Sequence, residues 1–485
     1  MILQINVNNV NTIIVGDVTA NVLTDLSISM TYKTLEYNGF TFVEIEHKLF
    51  NRIKQSFPTG LFSNAITVLK EHNLEYEIFD KRISPQLGSQ LNLHDIDGLW
   101  PYQTSIVEAA IEHQRFIIQV ATGGGKTVIA AAILAKLNVP SMFVVHTGDL
   151  FEQAYDELSR LLKVPIGRIG GGMCEIEKIN ICMIQTIHAV LDKKYVPFDD
   201  VEKEQLENDE IVKKSFIRND KIKKFLSEVR CVLVDECHHL RSDSYVAAMK
   251  ACKLAYFKGG LSATPFSGDS RDLILQAYAG KIIGQISASY LIDNNFLVRP
   301  TIYYLQGSKN SKYLFNRKRY NTIYKKYIVN NKYRNDLILD CVRRLVSLKK
   351  TVLITVTTKK HGKILLDMVK EAEISVEFIY SHVDKMTRKK YINQIRERKL
   401  SCIIGTCLAD EGLNIPALDS LILAGAGKSP TRMIQRIGRT LRKSPGKTEA
   451  VVIDFKDNIR YLSGHYKKRR GICEKEPAFK IVESF

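Results

Sequence analysis

The residues best equipped for chemistry lie in FIIQVATGGGKTVIAAAILAKL, 116–137, where a strand-like apolar run meets Thr122, the glycines Gly123, Gly124 and Gly125, and then Lys126 and Thr127 ahead of a helix-forming stretch. Consecutive glycines let the backbone wrap N–H groups around phosphate oxygens, and the following helix adds its positive end. At these positions Lys126 would reach the β and γ phosphates of ATP, and the Thr127 hydroxyl would ligate Mg²⁺. The general phosphate-loop pattern asks for glycine where this chain has Val120; the variant A-x-x-x-G-K-T fits, starting at Ala121.

CVLVDECHHL, 231–240, supplies a second constellation: four apolar residues followed by adjacent acids. At the end of a buried strand, Asp235 can hold Mg²⁺ while Glu236, facing the other way, takes a proton from an attacking water. His238 could ligate a metal by type. With no Cys/His partners at zinc spacing, a hydrogen-bonding role is expected and no structural zinc.

Elements must position these groups. From about 96 to 298 the runs RFIIQV, SMFVVH, INICMIQ, CVLVDE and KGGLSA are short, apolar and bounded by polar or glycine-rich turns, as suits strands buried on both faces of a parallel sheet. The stretch 192–224 is dense in Lys, Asp and Glu and reads as a surface insertion or exposed helix. A second series over 339–460 offers TVLITV, SVEFIYS, SCIIGT, SLILAG and EAVVIDF. Two such series predict an α/β chain with two tandem doubly wound domains. Residues 1–95 alternate strand-like runs with one amphipathic stretch and predict a small accessory α+β domain that binds nucleic acid. Residues 299–338 read as a basic, tyrosine-rich linker and 461–485 as a basic tail.

The chain of 485 residues has 70 Lys and Arg against 52 Asp and Glu, a net charge of +18. Such a surface rewards a polyanionic partner, because phosphate contacts release counterions. The nine cysteines form no CxxC pair, which suits a reducing cytoplasm. No apolar run approaches the roughly 18 residues of a membrane span, and the first residues lack a secretory pattern. A cytoplasmic location is expected; for a phage protein, the host's.

Across about 98–456 the motifs resemble, in order, those of superfamily 2 helicases, which implies two RecA-like domains. PYQ resembles the adenine-reading element and carries Gln103. HTGDLFEQ and IQTIHA resemble nucleic-acid-contacting motifs and point to Thr147, Gln153, Gln185 and Thr186. DECH resembles the hydrolysis signature, and Ser262-Ala263-Thr264 the motif coupling ATP to nucleic acid. GTCLADEGLNIP resembles the motif touching both nucleic acid, through Thr406, and nucleotide, through Asp410 and Gly412. QRIGRTLR resembles the arginine-finger motif: Gln435 would position water while Arg439 and Arg442 reach the γ phosphate. Charge builds on the phosphoryl oxygens in the transition state, so an arginine finger there is worth ~10³–10⁵ in rate.

GLSATPF and NIPALD look nearer to DNA translocases than to RNA helicases, and the whole resembles the UvsW-type branched-DNA helicases of bacteriophages and related XPB-like proteins. That resemblance implies an ATP-dependent DNA helicase acting on forks, junctions or R-loops in replication, recombination or repair. An RNA helicase or a restriction-type duplex translocase are the alternatives. Within 309–334, Tyr320, Tyr324 and Tyr327 share a helical face. They could stack bases among the lysines, though packing on a motor domain is the favoured reading. The 467–470 run KKRR is either an electrostatic contact or plain tail.

Overall fold

Period-two burial builds the first sheet. Leu3, Ile5 and Val7 are buried with Gln4 exposed between them, and Thr12 and Ile14 alternate likewise. These are properties of a computed structural model, which describes the chain except at 1, 193–209, 267, 309–318, 407–417, 426, 428–429 and 445, and the backbone alone at 210–216, 385 and 430–432. The motif residues fall almost wholly on described positions; Asp410 and Gly412 lie outside them.

The chain divides into two units, one holding Met1–Val120 and Gly125–Gln285, the other Ala121–Gly124 and Ile286–Phe485. In the first unit, Leu3–Val7 pairs antiparallel with Asn11–Val15 and parallel with Tyr76–Asp80. The helices Ala20–Ser29 and Phe62–Glu71 cover that sheet with Val22, Leu26, Ala65, Val68 and Leu69. A separate hairpin, Thr31–Tyr37 with Phe42–Lys48, is exposed over most of its length, with Tyr32 and His47 half-buried near its base; Phe40 at its tip is 91% exposed.

The larger sheet of this unit runs, in spatial order, Met173–Glu175, Ile166–Gly170, Ile179–Met183, Ser141–Val145, Cys231–Asp235, Phe257–Ser262, Arg115–Val120 and Lys281–Ile286. Its central pairs are parallel. Ser141–Val145 and Phe257–Ser262 are buried throughout, as expected of strands covered on both faces. A Cβ at Gly260 would stand 2.6 Å from the Cys237 Cβ, so only glycine lets the turn after Asp235 close against the neighbouring strand.

The accessory module is not a detached domain. Its core residues Leu3, Ile5, Phe57 and Leu61 join one cluster with Ile117, Leu275 and Ala277 of the larger sheet and its helices. A Cβ at Gly60 would lie 2.1 Å from the Gln276 carbonyl oxygen, which shows how flush the contact is. Arg115 donates to the carbonyl oxygens of Asn9 and Tyr278. The connector beyond residue 83 has no regular structure but donates from Gly88, Leu91 and His94 to the carbonyls of Leu137, Ala135 and Leu161. It thereby satisfies carbonyls that two helix ends leave open.

The second unit holds a seven-stranded sheet whose pairs are all parallel, in the order Val376–Ile379, Cys402–Gly405, Val352–Thr355, Ser420–Ile422, Glu449–Lys456, Arg299–Gln306 and Lys480–Val482. Two expectations are corrected here. The stretch 299–338 is no linker: Arg299–Gln306 pairs residue by residue with Glu449–Lys456, and Lys332–Ser347 is a helix burying Ile338, Cys341, Val342 and Leu345. Nor is 461–485 a tail, since Leu462–Cys473 is helical and Lys480–Val482 extends the sheet. Arg469 inserts bidentately onto the buried Asp454, at 2.8 and 2.9 Å, and Arg470 pairs with Glu474 and Glu483. Half of the KKRR run is therefore spent on folding. Helix Glu210–Glu228, in the charged stretch, buries Ile222, Phe225 and Leu226. Among the described residues no helix is long and apolar enough to cross a membrane.

Lys258 sets a test of the first core. It is 1% exposed, and its Nζ donates 2.6 Å to the Met249 carbonyl near a helix C-terminus. Burial, then the nearby Arg115 charge, lowers its pKa to about 7. Above pH 7 the unfolded chain keeps a proton that the folded chain has released, so stability rises with pH from 7 toward 10; below 7 the group is a constant cost. Lys258→Met is expected to raise the thermal midpoint at pH 7 and to flatten its rise between pH 7 and 8.5. Melting curves at several pH values check this, and an unchanged slope refutes it.

Candidate nucleotide and nucleic-acid sites

Strand Arg115–Val120 delivers the glycine loop, and helix Lys126–Leu137 starts directly behind it. Gly123 has φ +91° and Gly125 φ +76°, conformations that side chains resist. A Cβ on Gly125 would meet the Gln103 Nε2 at 2.5 Å. Gln103 is buried at the start of helix Pro101–His113, where its Oε1 accepts from the Trp100 backbone N–H at 3.0 Å. The expected adenine-reading residue thus stands against the expected phosphate loop.

Strand Cys231–Asp235 brings the two acids to the same place. Lys126 Nζ lies 2.7 Å from Glu236 Oε1, both side chains being 15% exposed. Ser262 Oγ donates to the other carboxylate oxygen at 3.1 Å and accepts from the Thr264 backbone N–H at 3.1 Å. His238 Nδ1 stands 3.3 Å from Ser262 Oγ and 3.4 Å from Glu236 Oε2. Glu236 occupies the left-handed region, φ 46° and ψ 55°, where a non-glycine residue is strained. That turn aims its carboxylate at Lys126 while its own N–H is held by Asp235 Oδ1 at 3.0 Å.

The acids differ electrically. Burial, reinforced by the Glu236 charge, raises the Asp235 pKa to about 6. Burial also opposes charge on Glu236, but Lys126 and His238 hold its carboxyl well below the usual range. Lys126 itself pays for burial yet is pushed above the ordinary lysine value by Glu236 and Asp235. Oxygen donors, a hydroxyl at Thr127 and a carboxylate at Asp235, are what a hard divalent cation takes. Together with the positive-φ glycine cradle and the helix start, they fit a magnesium-bound nucleoside triphosphate.

Nucleic-acid candidates of this unit gather at the carboxyl ends of Ser141–Val145 and Ile179–Met183. Thr147 accepts from the Leu150 N–H at 3.2 Å as a helix cap, and Gln185 Nε2 donates 2.8 Å to the His146 carbonyl. Gln153 and Thr186 are half-exposed. Sequence reasoning missed the stack that joins this group to the acids: His146 and His239 rings lie 4.0 Å apart, His239 and His238 rings 4.2 Å. The paired histidines after Glu236 and the one before Thr147 were the available signal.

In the second unit, Thr406 follows strand Cys402–Gly405, its N–H donating to Ile379 at 3.2 Å. Gln435 is buried on helix Pro430–Thr440, which also carries Arg436 and Arg439; Arg442 follows, bridged through its backbone to Leu297.

Comparison with known proteins agrees with these two halves. Residues 97–267 match the family model described as type III restriction enzyme, res subunit, and residues 334–444 the helicase conserved C-terminal domain. A protein named as a helicase in Sulfolobus islandicus filamentous virus is 26% identical over 378 residues, covering 74% of this chain and 64% of that one. The DNA 3'-5' translocase XPB2 of Sulfurisphaera tokodaii is 24% identical over 422 residues, covering 80% and 86%. The chain thus spans less than two thirds of the viral relative's length. Among solved structures, S. cerevisiae Dbp5 bound to RNA and ADP BeF3 shares the fold over 80% of this chain and 94% of its own, with 14% identity and TM-score 0.52. T4 UvsW aligns over 100% and 99%, with 18% identity and TM-score 0.44. With both domain models in series on the two parallel sheets, the chain belongs to the superfamily 2 helicases and is similar to an XPB-type translocase.

Proposed function

We propose that the chain is an ATP-dependent DNA helicase or translocase that remodels branched DNA. The observation that carries the catalytic half is the buried constellation of Lys126, Glu236 and Ser262 beside the glycine loop. In this reading Thr122, Gly123, Gly124 and Gly125 with Lys126 hold the phosphates, Thr127 and Asp235 hold Mg²⁺, and Gln103 holds the base. Glu236 takes the proton from water. Bound Mg²⁺ would offset negative charge on the phosphoryl oxygens.

A bound phosphate would compete with Glu236 for the Lys126 ammonium and draw it away. When it leaves, the carboxylate loses the cation that depresses its pKa most and becomes a stronger base. Ser262 on the second oxygen keeps it oriented. Asp410 and Gly412 are assigned to the nucleotide, Gln435 to positioning water, and Arg439 and Arg442 to the arginine fingers. Thr147, Gln153, Gln185, Thr186 and Thr406 are assigned to the DNA backbone.

The DNA half is supported by the name of the archaeal relative, a DNA translocase, and the branched-DNA reading by the motif resemblance and the hairpin. Tyr37, Phe40 and Phe42 are exposed at its tip, and exposed aromatics in such number mark an interaction site. Its base is tied to the motor: the Lys33 N–H donates 3.2 Å to Ser270 Oγ, in the loop that leaves Ser262 and Thr264. A hairpin so anchored can meet the end of a duplex while the motor moves the strand. A translocase that tracks duplex DNA without opening it is the second reading, favoured by the name of the archaeal relative.

Lys126→Ala is expected to lower ATP turnover by at least ~10²-fold, and Glu236→Gln by ~10²–10⁴-fold while nucleotide still binds. Steady-state ATPase assays with nucleotide-binding titrations check both, and wild-type rates in either variant refute the assignment. Phe40→Ala with Phe42→Ala touches no core residue. It should slow fork unwinding several-fold more than DNA-stimulated ATP turnover. Equal losses in the two assays, or a wild-type chain that moves on duplex yet opens no fork, would favour the duplex-tracking reading.

A further inference from the structure

Two stretches that this chemistry leaves unused meet on the second unit. The helix Tyr320–Tyr324 and the turn Lys325–Val329 share a small core with Ile459 and Leu462, at the start of helix Leu462–Cys473. Over that core lies a group of rings. Tyr320 stands 6.0 Å from Tyr461 at 88° and 5.5 Å from His465, and the Arg460 guanidinium sits 4.8 Å over the Tyr461 ring. Tyr461, His465 and Lys468 recur at helical spacing on one face, while Leu462, Tyr466, Arg469 and Cys473 are buried on another.

Tyr461 is held at φ 66° and ψ −51°, a conformation that bulky side chains avoid, yet its side chain is 38% exposed. Strain of this kind persists only where the surroundings impose it, and it collects at binding sites. Charge points the same way. From 319 to 335 the sequence has five basic residues and no acid, and from 458 to 473 again five and none. Arg334 and Arg469 are consumed by Asp457 and Asp454, whereas Arg319, Lys467 and Lys468 are exposed. Position agrees as well. Tyr461 follows Glu449–Lys456 and Thr406 follows Cys402–Gly405, so both lie beyond the carboxyl ends of one parallel sheet, the edge at which such folds bind ligands.

We propose that this face binds a single-stranded nucleic-acid segment, with bases stacking on Tyr461 and Tyr320 and phosphates held by Arg460, Lys468 and Arg319. Stacking needs an unpaired base, which selects single strands over duplex, and every base has a ring face to offer. No group here reads base edges, so binding is independent of sequence. The site rests on the DNA-motor reading and adds a contact surface to it.

The test is fluorescence-anisotropy titration of the full chain with a labelled 20-nucleotide oligo-dT at several salt concentrations. Tyr461→Ala should weaken binding about tenfold and Tyr461→Phe should not, because the ring is what stacks. Lys468→Ala should lower the slope of log affinity against log salt by about 0.7, one phosphate contact. Melting curves identify a misfolded Tyr461→Ala; the exposed Lys468→Ala then decides. Wild-type affinity and slope in the folded variants would overturn the site while leaving the motor reading intact. A wild-type chain with no affinity for any nucleic acid would sink that reading and this site with it. Displacement of the oligonucleotide by poly-glutamate at equal charge concentration would also overturn the proposal, in favour of an acidic-protein surface.

Discussion

The ion pair between Lys126 and Glu236 is the constraint around which the first unit is arranged. Burying a cation and a carboxylate is tolerable only while each has a partner. The fold therefore brings two distant segments to within 2.7 Å and surrounds the pair with further polar groups. The strands Arg115–Val120 and Cys231–Asp235 flank Phe257–Ser262 in one sheet, which makes that meeting unavoidable. In the proposed reading a phosphate competes with Glu236 for Lys126, so the pair would act as a switch as well as a support.

Backbone strain is the cost of aiming these groups. Glu236 accepts the left-handed region so that its carboxylate turns back toward Lys126, and Gly260 gives up a side chain so that Cys237 can follow it around the turn. Ser262, at the end of that same neighbouring strand, then reaches the free carboxylate oxygen. One glycine therefore supports both the turn and the serine contact.

The sequence made the glycine loop and the pair of acids legible because their signals are local. A strand, a glycine run and Lys-Thr occupy consecutive positions, and so do a strand and two acids. The motor strands were legible for the same reason, since double-sided burial leaves an unbroken apolar run. What escaped was long-range. Arg469 looks like one more charge in KKRR until Asp454, fifteen residues earlier, is seen to neutralise it in the core. Arg299–Gln306 was hidden by its arginine, proline and two tyrosines, yet Tyr304 is almost fully buried against Tyr466 at 5.4 Å. Of the tyrosine stripe, Tyr324 packs as expected, its hydroxyl donating 3.0 Å to Gly425, while Tyr320 faces a different set of rings. A helical wheel cannot separate the two, because the difference lies in what each one meets.

The accessory module carries the same lesson about context. Read alone, residues 1–95 are a small α+β unit whose sheet is short and whose hairpin could not stand alone in water. In the fold, Leu3, Ile5, Phe57 and Leu61 share one core with Ile117, Leu275 and Ala277, and Gly60 closes directly on the helix Asp272–Ala279. Apolar surface that each part would expose by itself is removed from water by the other, at about 25 cal/mol per Å². The module is accordingly part of the motor's own structure, and the exposed hairpin inherits its rigidity at the base. A hairpin held that way can resist force, which one on a domain tethered by a flexible linker could not.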